Sequence, residues 1–531
     1  DDGIIYNGYG KTYHKENNIS IDAKNKHSGR NAFRISSDKD STGRFAFNAV
    51  PFIPGKPATF SVWVKAAKSK TRVRLSMFLA SGLAYVKHVT VGTQWKRYVM
   101  TIPVWGEKVK GISRIGDTVN GAGAVHKVFT PLVNVTDGTI WIDDATYQLS
   151  KQAIPLEACA PAVSGRLNRP SGYYFPGQKI AAELELVSNR NATVRVKWEV
   201  FDFFGKKICQ YNGETINLKA NHLHKLDYNL KLPAKQRGPL NWKFTIGKVI
   251  HNFYLGVIDR AGPRSQRLGI NFTSRQNAEA ASHILKDFGF GSVRLWSAFR
   301  KLPFHGFKDI PVFKKNGFYV MMCISGLKPE APSCLVPVNL DKWQQLIKQQ
   351  AAKYNGQVDC YEILNESNIW NGRTKNPDST KYREMTPQVN VEIIKAASEA
   401  IKATNKKAKI AGPTSCHTDV NWTASLLKQG AGKYLDIITE HPYREKPELP
   451  DYADDIEKMH KLLKQYRGNF PIIASEAGER STAMPPDNLI MDCMRDRSAY
   501  NVRMMLIGLA NGLKQYHHFC LNMGEVGTGW S

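Results

Sequence analysis

The segment Glu362-Ile363-Leu364-Asn365-Glu366-Ser367-Asn368 runs through apolar, strand-forming residues and ends on a carboxylate followed by a small residue. A second segment, Ile472-Ile473-Ala474-Ser475-Glu476-Ala477-Gly478, has the same form. A carboxylate at the end of a buried strand carries a desolvation cost, so two of them are expected only where a site uses them. Outward from this pair, from residue 263 onward, strand-like runs alternate with helical periodicity, the pattern of βα units. The strands read at 268–272, 292–296, 318–324, 358–364, 408–412, 435–439, 471–475 and 515–521. Helical stretches read at 276–288, 340–354, 388–404, 453–467 and 497–512. Eight strands with helices between them predict a (β/α)8 TIM barrel over 263–531, with functional side chains at the C-terminal strand ends. The ten residues after strand eight leave no room for an eighth helix of usual length. The expectation is a barrel lacking its last helix or closed in another way.

The chain before residue 263 reads differently. Short alternating runs, such as Ala58-Thr59-Phe60-Ser61-Val62-Trp63-Val64 and Thr139-Ile140-Trp141-Ile142-Asp143-Asp144, predict an all-β sandwich over 1–150. Its order of runs resembles the jelly-roll carbohydrate-binding modules of the family 4/9 type. The resemblance rests on His27-Ser28-Gly29-Arg30-Asn31-Ala32 as an early turn, Phe60–Ala66 as a central strand and Trp141-Ile142-Asp143-Asp144-Ala145 as the closing strand. Asp143 and Asp144 are the candidates for a structural calcium. A second alternating stretch over 151–262 reads as an immunoglobulin-like spacer, with Ala181–Val187 and Ala192–Val200 its clearest strands. The predicted fold class is therefore multidomain: two N-terminal all-β sandwiches, then an α/β barrel.

Composition narrows the partners. Of 531 residues, 42% are apolar and 23% charged, ordinary values for a folded chain. The net charge is +28 and uneven: residues 1–262 carry 38 Lys+Arg and 19 Asp+Glu, residues 263–531 carry 36 and 27. Attraction to an anionic polysaccharide, sulfated or uronic, fits the basic N-terminal half; a solubility bias fits it as well. No nucleic-acid-binding motif is present, and no apolar run reaches the roughly 18–20 residues of a membrane span. The start at Asp1-Asp2-Gly3 fits a processed N-terminus, hence a secreted, periplasmic or cell-surface protein. Six Asn-x-Ser/Thr sequons include Asn271 and Asn365 at predicted strand ends facing the site, which disfavours glycosylation there and favours a bacterial source. Eight cysteines show no Cys-x-x-Cys spacing; Cys323, Cys360 and Cys520 read as buried thiols rather than metal ligands.

Reading the barrel's strand ends collects Asn271, Arg294, Trp296, Asn365, Glu366, His441, Tyr443 and Glu476. This set resembles the clan A glycoside hydrolases, retaining enzymes on a (β/α)8 barrel. Asn365-Glu366 stands where the clan has its Asn-Glu pair ending strand four, and Glu476 where it has a Glu ending strand seven. Arg294 matches an Arg ending strand two, and His441-Pro442-Tyr443 a His-x-Tyr pattern at strand six. The flavour is that of the family 39 and family 5 neighbourhoods, although Asn365-Glu366-Ser367-Asn368 departs from the usual Asn-Glu-Pro and leaves the sugar open. The resemblance implies a retaining glycosidase without cofactor or catalytic metal. Glu366 would be the acid/base, its carboxyl raised by burial and neighbouring charge. Glu476 would be the nucleophile, kept ionised by Arg294 and Tyr443, and Asn365 would hold a sugar hydroxyl. Trp296 and Trp370 are candidate stacking platforms.

Each residue also has a plainer reading: Arg294 as a structural counter-ion, His441 as a second-layer histidine, Tyr443, Trp296 and Trp370 as packing. Glu362 and Glu440 are competing carboxylates, with Glu362 expected to face the helices. A catalytically silent glycan-binding protein and a transglycosylase using the same residues are the alternatives. Segments 373–387 and 480–496 are candidate walls of the cleft.

Overall fold

In the computed structural model, the described residues are 19–521 apart from 29–30, 38–42, 48–49, 52–56, 79–83, 104–108, 116–127, 149–150, 153–160, 170, 273–276, 298–306, 325–339, 370–384, 445, 449–450, 467–469 and 479–489. They fall into two compact units. The first comprises the described residues within Asp1–Asp259 and Ser481–Arg495, the second those within Arg260–Arg480 and Asp496–Met523.

The first unit is built from strands in two sandwich-like pairs of sheets, antiparallel except where Tyr173–Tyr174 runs parallel to Val249–Val257. In its N-terminal part, one sheet runs in the order Ile19–Asp22, Ala32–Ser37, Gly138–Gln148, Ala58–Ala66, Lys96–Ile102. The other contains Gly43–Ala46, Val128–Val135, Thr71–Phe78, Ala84–Val91 and Ser113–Ile115, with Val50–Pro51 beside Val128–Val135. Alternation does its usual work here: Phe60, Val62, Val64, Leu75, Met77, Ile140 and Ile142 point into one apolar core. A second core, centred on Trp242, Phe244 and Leu184, lies between Ala162–Leu167, Ile180–Val187 and Leu223–Leu230 on one side and a five-stranded sheet from Tyr173 to Val257 on the other.

The His27 turn and the strand carrying Asp143 and Asp144 are joined by hydrogen bonds. Asp143 Oδ2 accepts the amides of His27 (2.8 Å) and Ser28 (3.1 Å), and its Oδ1 accepts the amide of Asp144 (2.8 Å). Asp144 takes the Ser28 hydroxyl and the His27 ring, both at 2.6 Å. Calcium needs six to eight oxygen ligands free to coordinate. Here both carboxylates are filled by N–H and O–H donors, so the arrangement does not fit the expected calcium; the pair ties a turn to a strand instead.

The second unit is an α/β array around one parallel sheet. Its strands are β1 (Ser265–Phe272), β2 (Phe290–Ser297), β3 (Tyr319–Ile324), β4 (Cys360–Ile363), β5 in two pieces (Lys409–Ala411 and Ser415–Cys416), β6 (Ile438–His441), β7 (Ile472–Ala477) and β8 (Gln515–Leu521). Every neighbouring pair is parallel, in sequence order, and β8 pairs with β1. The sheet curls until its ends meet: β5 pairs with β4 through its first piece and with β6 through its second, and a bridge from Ala411 to Ile437 links the two sides. Helices α1 (Ala278–Asp287), α2 (Ile310–Lys315), α3 (Leu340–Lys353), α4 (Pro387–Lys402), α5 (Val420–Lys428), α6 (Tyr452–Lys464) and α7 (Ile490–Ala510, of which the part from Asp496 belongs to this unit) lie between consecutive strands. Asn277 caps α1, Thr386 caps α4 and Asp419 caps α5, each accepting a first-turn amide.

Two apolar layers hold the array. Outward-facing strand residues such as Ile270, Val293, Ile363 and Ile438 pack on the helices. Inward-facing Met321, Cys360, Ala411, Ile437 and Ile473 fill the interior. The sequence reading missed α2 and α5, and ended β6 at Thr439 although the strand continues through His441. Cys323 and Cys360 are buried as expected, whereas Cys520 is only half-buried.

Candidate active site

The interior of the curled sheet is polar at one end because inward-facing positions there carry charge. On β2, Ser292, Arg294 and Trp296 alternate inward, and Arg294 is 1% exposed. All its N–H groups meet side-chain oxygens. Nε and Nη2 lie 2.7 and 2.6 Å from Glu362 Oε2, Nη1 donates to Asn271 Oδ1 (2.8 Å) and Glu476 Oε2 (3.0 Å), and Nη2 donates to Asn365 Oδ1 (2.8 Å). A buried guanidinium is stable only when paired in this way. Burial works against its charge, but the carboxylate of Glu362 and then that of Glu476 outweigh it and raise its pKa.

The turn after β4 is held in an unusual backbone. Leu364 and Glu366 adopt left-handed φ values of 68° and 50° on either side of Asn365. Such conformations in non-glycine residues persist only when the surroundings enforce them, and they concentrate at functional sites. Here the enforcement is visible. Leu364 N–H donates to Ile324 O, and Ser367 N–H to Thr414 O. The buried Ser367 hydroxyl accepts from Asn390 of α4 (2.6 Å). Asn368 exchanges two bonds with the Cys416 backbone and donates to Asp419. Ser367 and Asn368 thus pin this turn to α4 and β5.

Glu476 lies where β7 changes register on β8, between Ala474 and Ala477. Its Oε1 accepts the Tyr443 hydroxyl at 2.7 Å, opposite Arg294 on Oε2. Burial, then the charge of Glu476, drives the Tyr443 phenol well above its ordinary range, so it stays a donor. Glu366 Oε1 is 2.9 Å from Nδ1 of the buried His441, and the same nitrogen is 3.8 Å from Glu476 Oε2. His441 Nε2 has no hydrogen-bond partner among the described residues. Burial alone would raise the Glu366 carboxyl; the hydrogen bond and charge of His441 overcome it, and the net direction is down. That reverses the expectation of a raised acid.

The structure therefore brings together Asn271, Arg294, Asn365, Glu366, His441, Tyr443 and Glu476. Asn271 gives its amide N–H groups to Ser475 O (3.0 Å) and His518 O (3.4 Å) and its oxygen to Arg294. It is fully engaged within the protein, contrary to its reading as a sugar contact. Trp296 ends β2 and is 41% exposed, open enough to serve as a platform. Trp370 lies outside the described residues, as do most of 373–387 and 480–496.

Of the two competing carboxylates, Glu362 was expected to face the helices and does not. Glu362 faces inward and grips Arg294. Burial raises it, but the charges of Arg294 and His441 win and hold it low. Glu440 faces outward into the helical layer, 3.4 Å from the Tyr452 hydroxyl of α6, and burial lifts its carboxyl to about 7. It takes no part in the cluster.

Glu366, His441 and Glu476 each offer a ligand atom within 4.8 Å of the others, a spacing that could hold a metal ion. The donor set fits poorly, because the Arg294 guanidinium already stands 3.0 Å from Glu476 Oε2 and would repel a second cation. The cluster is better described as two carboxylates oriented by hydrogen-bond donors.

No protein-family model matches this sequence, and no curated protein matches it. Among solved structures, the chain is similar to beta-glucuronidase 2 from Bacteroides uniformis, solved covalently bound to cyclophellitol-6-carboxylate aziridine: 11% identity, TM-score 0.33, over 91% of this chain and 59% of that one. The chain thus spans under two thirds of that relative's length. It is similar to a GH5 xyloglucanase from Bacteroides ovatus (12% identity, TM-score 0.34, 69% of this chain and 95% of that one). It is also similar to a GH39 beta-xylosidase from Caulobacter crescentus (15% identity, TM-score 0.36, 49% and 64%). Likeness this distant says nothing of activity or substrate; those rest on the side chains of the site.

Proposed function

We propose that this chain is a retaining glycoside hydrolase acting on β-linked oligo- or polysaccharides, with Glu366 as acid/base and Glu476 as nucleophile. One observation carries the reading: carboxyl oxygens of Glu366 and Glu476 come within 4.8 Å of each other, and the two are held by different donors. Retaining catalysis uses carboxyls about 5–5.5 Å apart, whereas inverting catalysis needs roughly 6.5–9.5 Å to admit a water. Glu476, between Arg294 and Tyr443, is the better nucleophile, because both partners are donors that favour its ionised form. Glu366 is met by His441 and the Cys416 side chain rather than by a guanidinium, and can gain and lose a proton.

In the first step Glu476 attacks the anomeric carbon as Glu366 protonates the departing glycosidic oxygen, leaving a glycosyl ester on Glu476. In the second, ionised Glu366 takes a proton from water, the water oxygen bonds to the anomeric carbon, and the ester C–O bond breaks. Asn365, its oxygen engaged by Arg294, is left with its NH2 to donate to a sugar hydroxyl. In this reading residues 263–531 are a (β/α)8 catalytic barrel. Residues 1–150 are a carbohydrate-binding-module-like jelly roll and 151–262 an immunoglobulin-like spacer. The partner is a carbohydrate, anionic polysaccharides included, met outside the cytoplasm.

The test is turnover of a panel of aryl β-glycosides and of sulfated, uronic and neutral polysaccharides. Glu476→Ala should lose roughly three orders of magnitude or more in kcat and regain activity with azide, releasing a glycosyl azide of inverted configuration. Unimpaired turnover by that variant would eliminate the proposal.

A further inference from the structure

The central cation of the site is shared, and the share is unequal. Arg294 turns its Nε/Nη2 edge to Glu362 Oε2 at 2.7 and 2.6 Å, its two shortest contacts, and offers only Nη1 to Glu476, at 3.0 Å. Glu362 is completely buried, lies on β4 four residues before Glu366 and touches neither Glu366 nor Glu476. A planar guanidinium gripped along one edge has its other edge fixed in direction. That other edge sets two things at once: Nη2 holds Asn365 Oδ1, which turns the Asn365 NH2 away from Arg294, and Nη1 meets Glu476. Two carboxylates thus draw on one guanidinium, with His441 Nδ1 a further donor 3.8 Å from Glu476 Oε2, and Glu362 holds the closer share of Arg294.

We propose that Glu362 is a positioning residue of the reaction: through Arg294 it aims Asn365 at the sugar and keeps Glu476 reactive by competing for the same cation. The inference rests on the hydrolase reading above. It assigns Glu362 two separable contributions, a geometric one and an electrostatic one, and a merely structural ion pair would have neither.

Two variants separate them. Glu362→Gln keeps an oxygen acceptor for Arg294 and removes the charge. Arg294 then has one charged carboxylate fewer beside it, Tyr443 and His441 stay where they are around Glu476, and the acid limb of kcat/KM against pH moves to lower pH, the direction expected when a neighbouring negative charge is removed. Glu362→Asp keeps the charge on a side chain one methylene shorter, so the grip on Arg294 lengthens. There kcat falls by roughly a hundredfold, the cost of about 1 Å of misplacement, while the acid limb stays in place. Both are assayed on the full chain with the 2,4-dinitrophenyl β-glycoside that the wild type turns over fastest, alongside thermal unfolding. Lower melting temperatures with kcat within twofold and an unmoved acid limb in either folded variant would reduce Glu362 to a structural ion pair and overturn the proposal. An inactive Glu476→Ala that azide rescues, next to an unaltered Glu362→Gln profile, would remove this inference alone. A fully active Glu476→Ala would remove the hydrolase reading and this inference with it.

Discussion

His441 is the residue on which the pH behaviour of the site turns. Its Nδ1 reaches Glu366 at 2.9 Å and holds that carboxyl below its ordinary range against burial, the largest opposing influence. A general acid must be protonated, so activity is lost as pH rises through the Glu366 pKa. With that pKa depressed, the basic limb of kcat/KM, which reports the free protein, is expected in the acidic range. His441→Gln replaces the cation-forming ring; burial then dominates, the Glu366 pKa rises, and the basic limb shifts to higher pH. A pH–rate profile of the variant checks the direction, and an unchanged or lowered limb would show that His441 does not govern Glu366. Glu366→Gln should itself lose about 10²–10⁴ in rate on substrates with poor leaving groups and much less on dinitrophenyl glycosides. Most of these residues were legible, because a carboxylate or arginine ending an apolar strand stands out. Glu362 was misplaced although its signal was present: on a period-2 strand it falls on the face opposite Tyr361 and Ile363, which pack on the helices. The direction of the Glu366 shift was not legible, since it depends on a contact between residues 75 apart in sequence.

At the scale of the element, alternation decides which carboxylates are chemical and which are costly. On β6, Thr439 and His441 face inward, so Glu440 between them faces the helices, beside Tyr452, Thr418, Arg444 and Asp455. Its carboxyl, about 7 in the fold against 4.5 for the ordinary group, binds its proton more tightly folded than unfolded. Its cost is therefore absent below about pH 4.5, grows as pH rises toward 7 and is constant above, reaching about 3 kcal/mol. Glu440→Gln should gain stability relative to the parent between pH 4.5 and 8. Chemical denaturation of both proteins at the two pH values measures it; a difference independent of pH would refute the assignment. On β1, Gly269 is required by its neighbour: a Cβ there would stand 2.5 Å from the imidazole of the fully buried His517. Gly269→Ala should destabilise the fold by about 1–3 kcal/mol, the range for overpacking, read as a lower denaturation midpoint. The strands were legible because short, largely apolar runs recur between stretches of helical periodicity. Helices α2 and α5 were not, because six and nine residues give too little of a 3.6-residue period to separate from loop.

Over the whole molecule, the excess charge sits apart from the chemistry. Residues 1–262 carry 38 basic and 19 acidic side chains, whereas residues 263–531, which hold every candidate catalytic group, carry 36 and 27. Several described acids of the first unit are already paired with bases: Glu183 with Arg166 and Lys225, Glu185 with Lys225, Glu199 with Lys207, Asp259 with Arg237. No described helix is long and apolar enough to cross a membrane. An anionic polysaccharide is the carbohydrate that such a surface would concentrate. Attraction of this kind acts over a Debye length of about 10 Å at 0.1 M salt and about 3 Å at 1 M, so it should be strongly salt-dependent, unlike stacking on aromatic side chains. The full chain should be retained on an immobilised sulfated polysaccharide at roughly 0.05 M salt and released well before 1 M, with little retention on a neutral polysaccharide of the same backbone. Equal retention on both supports, or retention indifferent to salt, would place sugar recognition in neutral contacts and leave the +19 of the N-terminal half without a polyanion partner. Turnover gives an independent reading of the same field: if the basic half delivers substrate, kcat/KM on a sulfated polymer falls with salt while that on a small neutral aryl glycoside does not, because only the polymer carries the charge that salt screens.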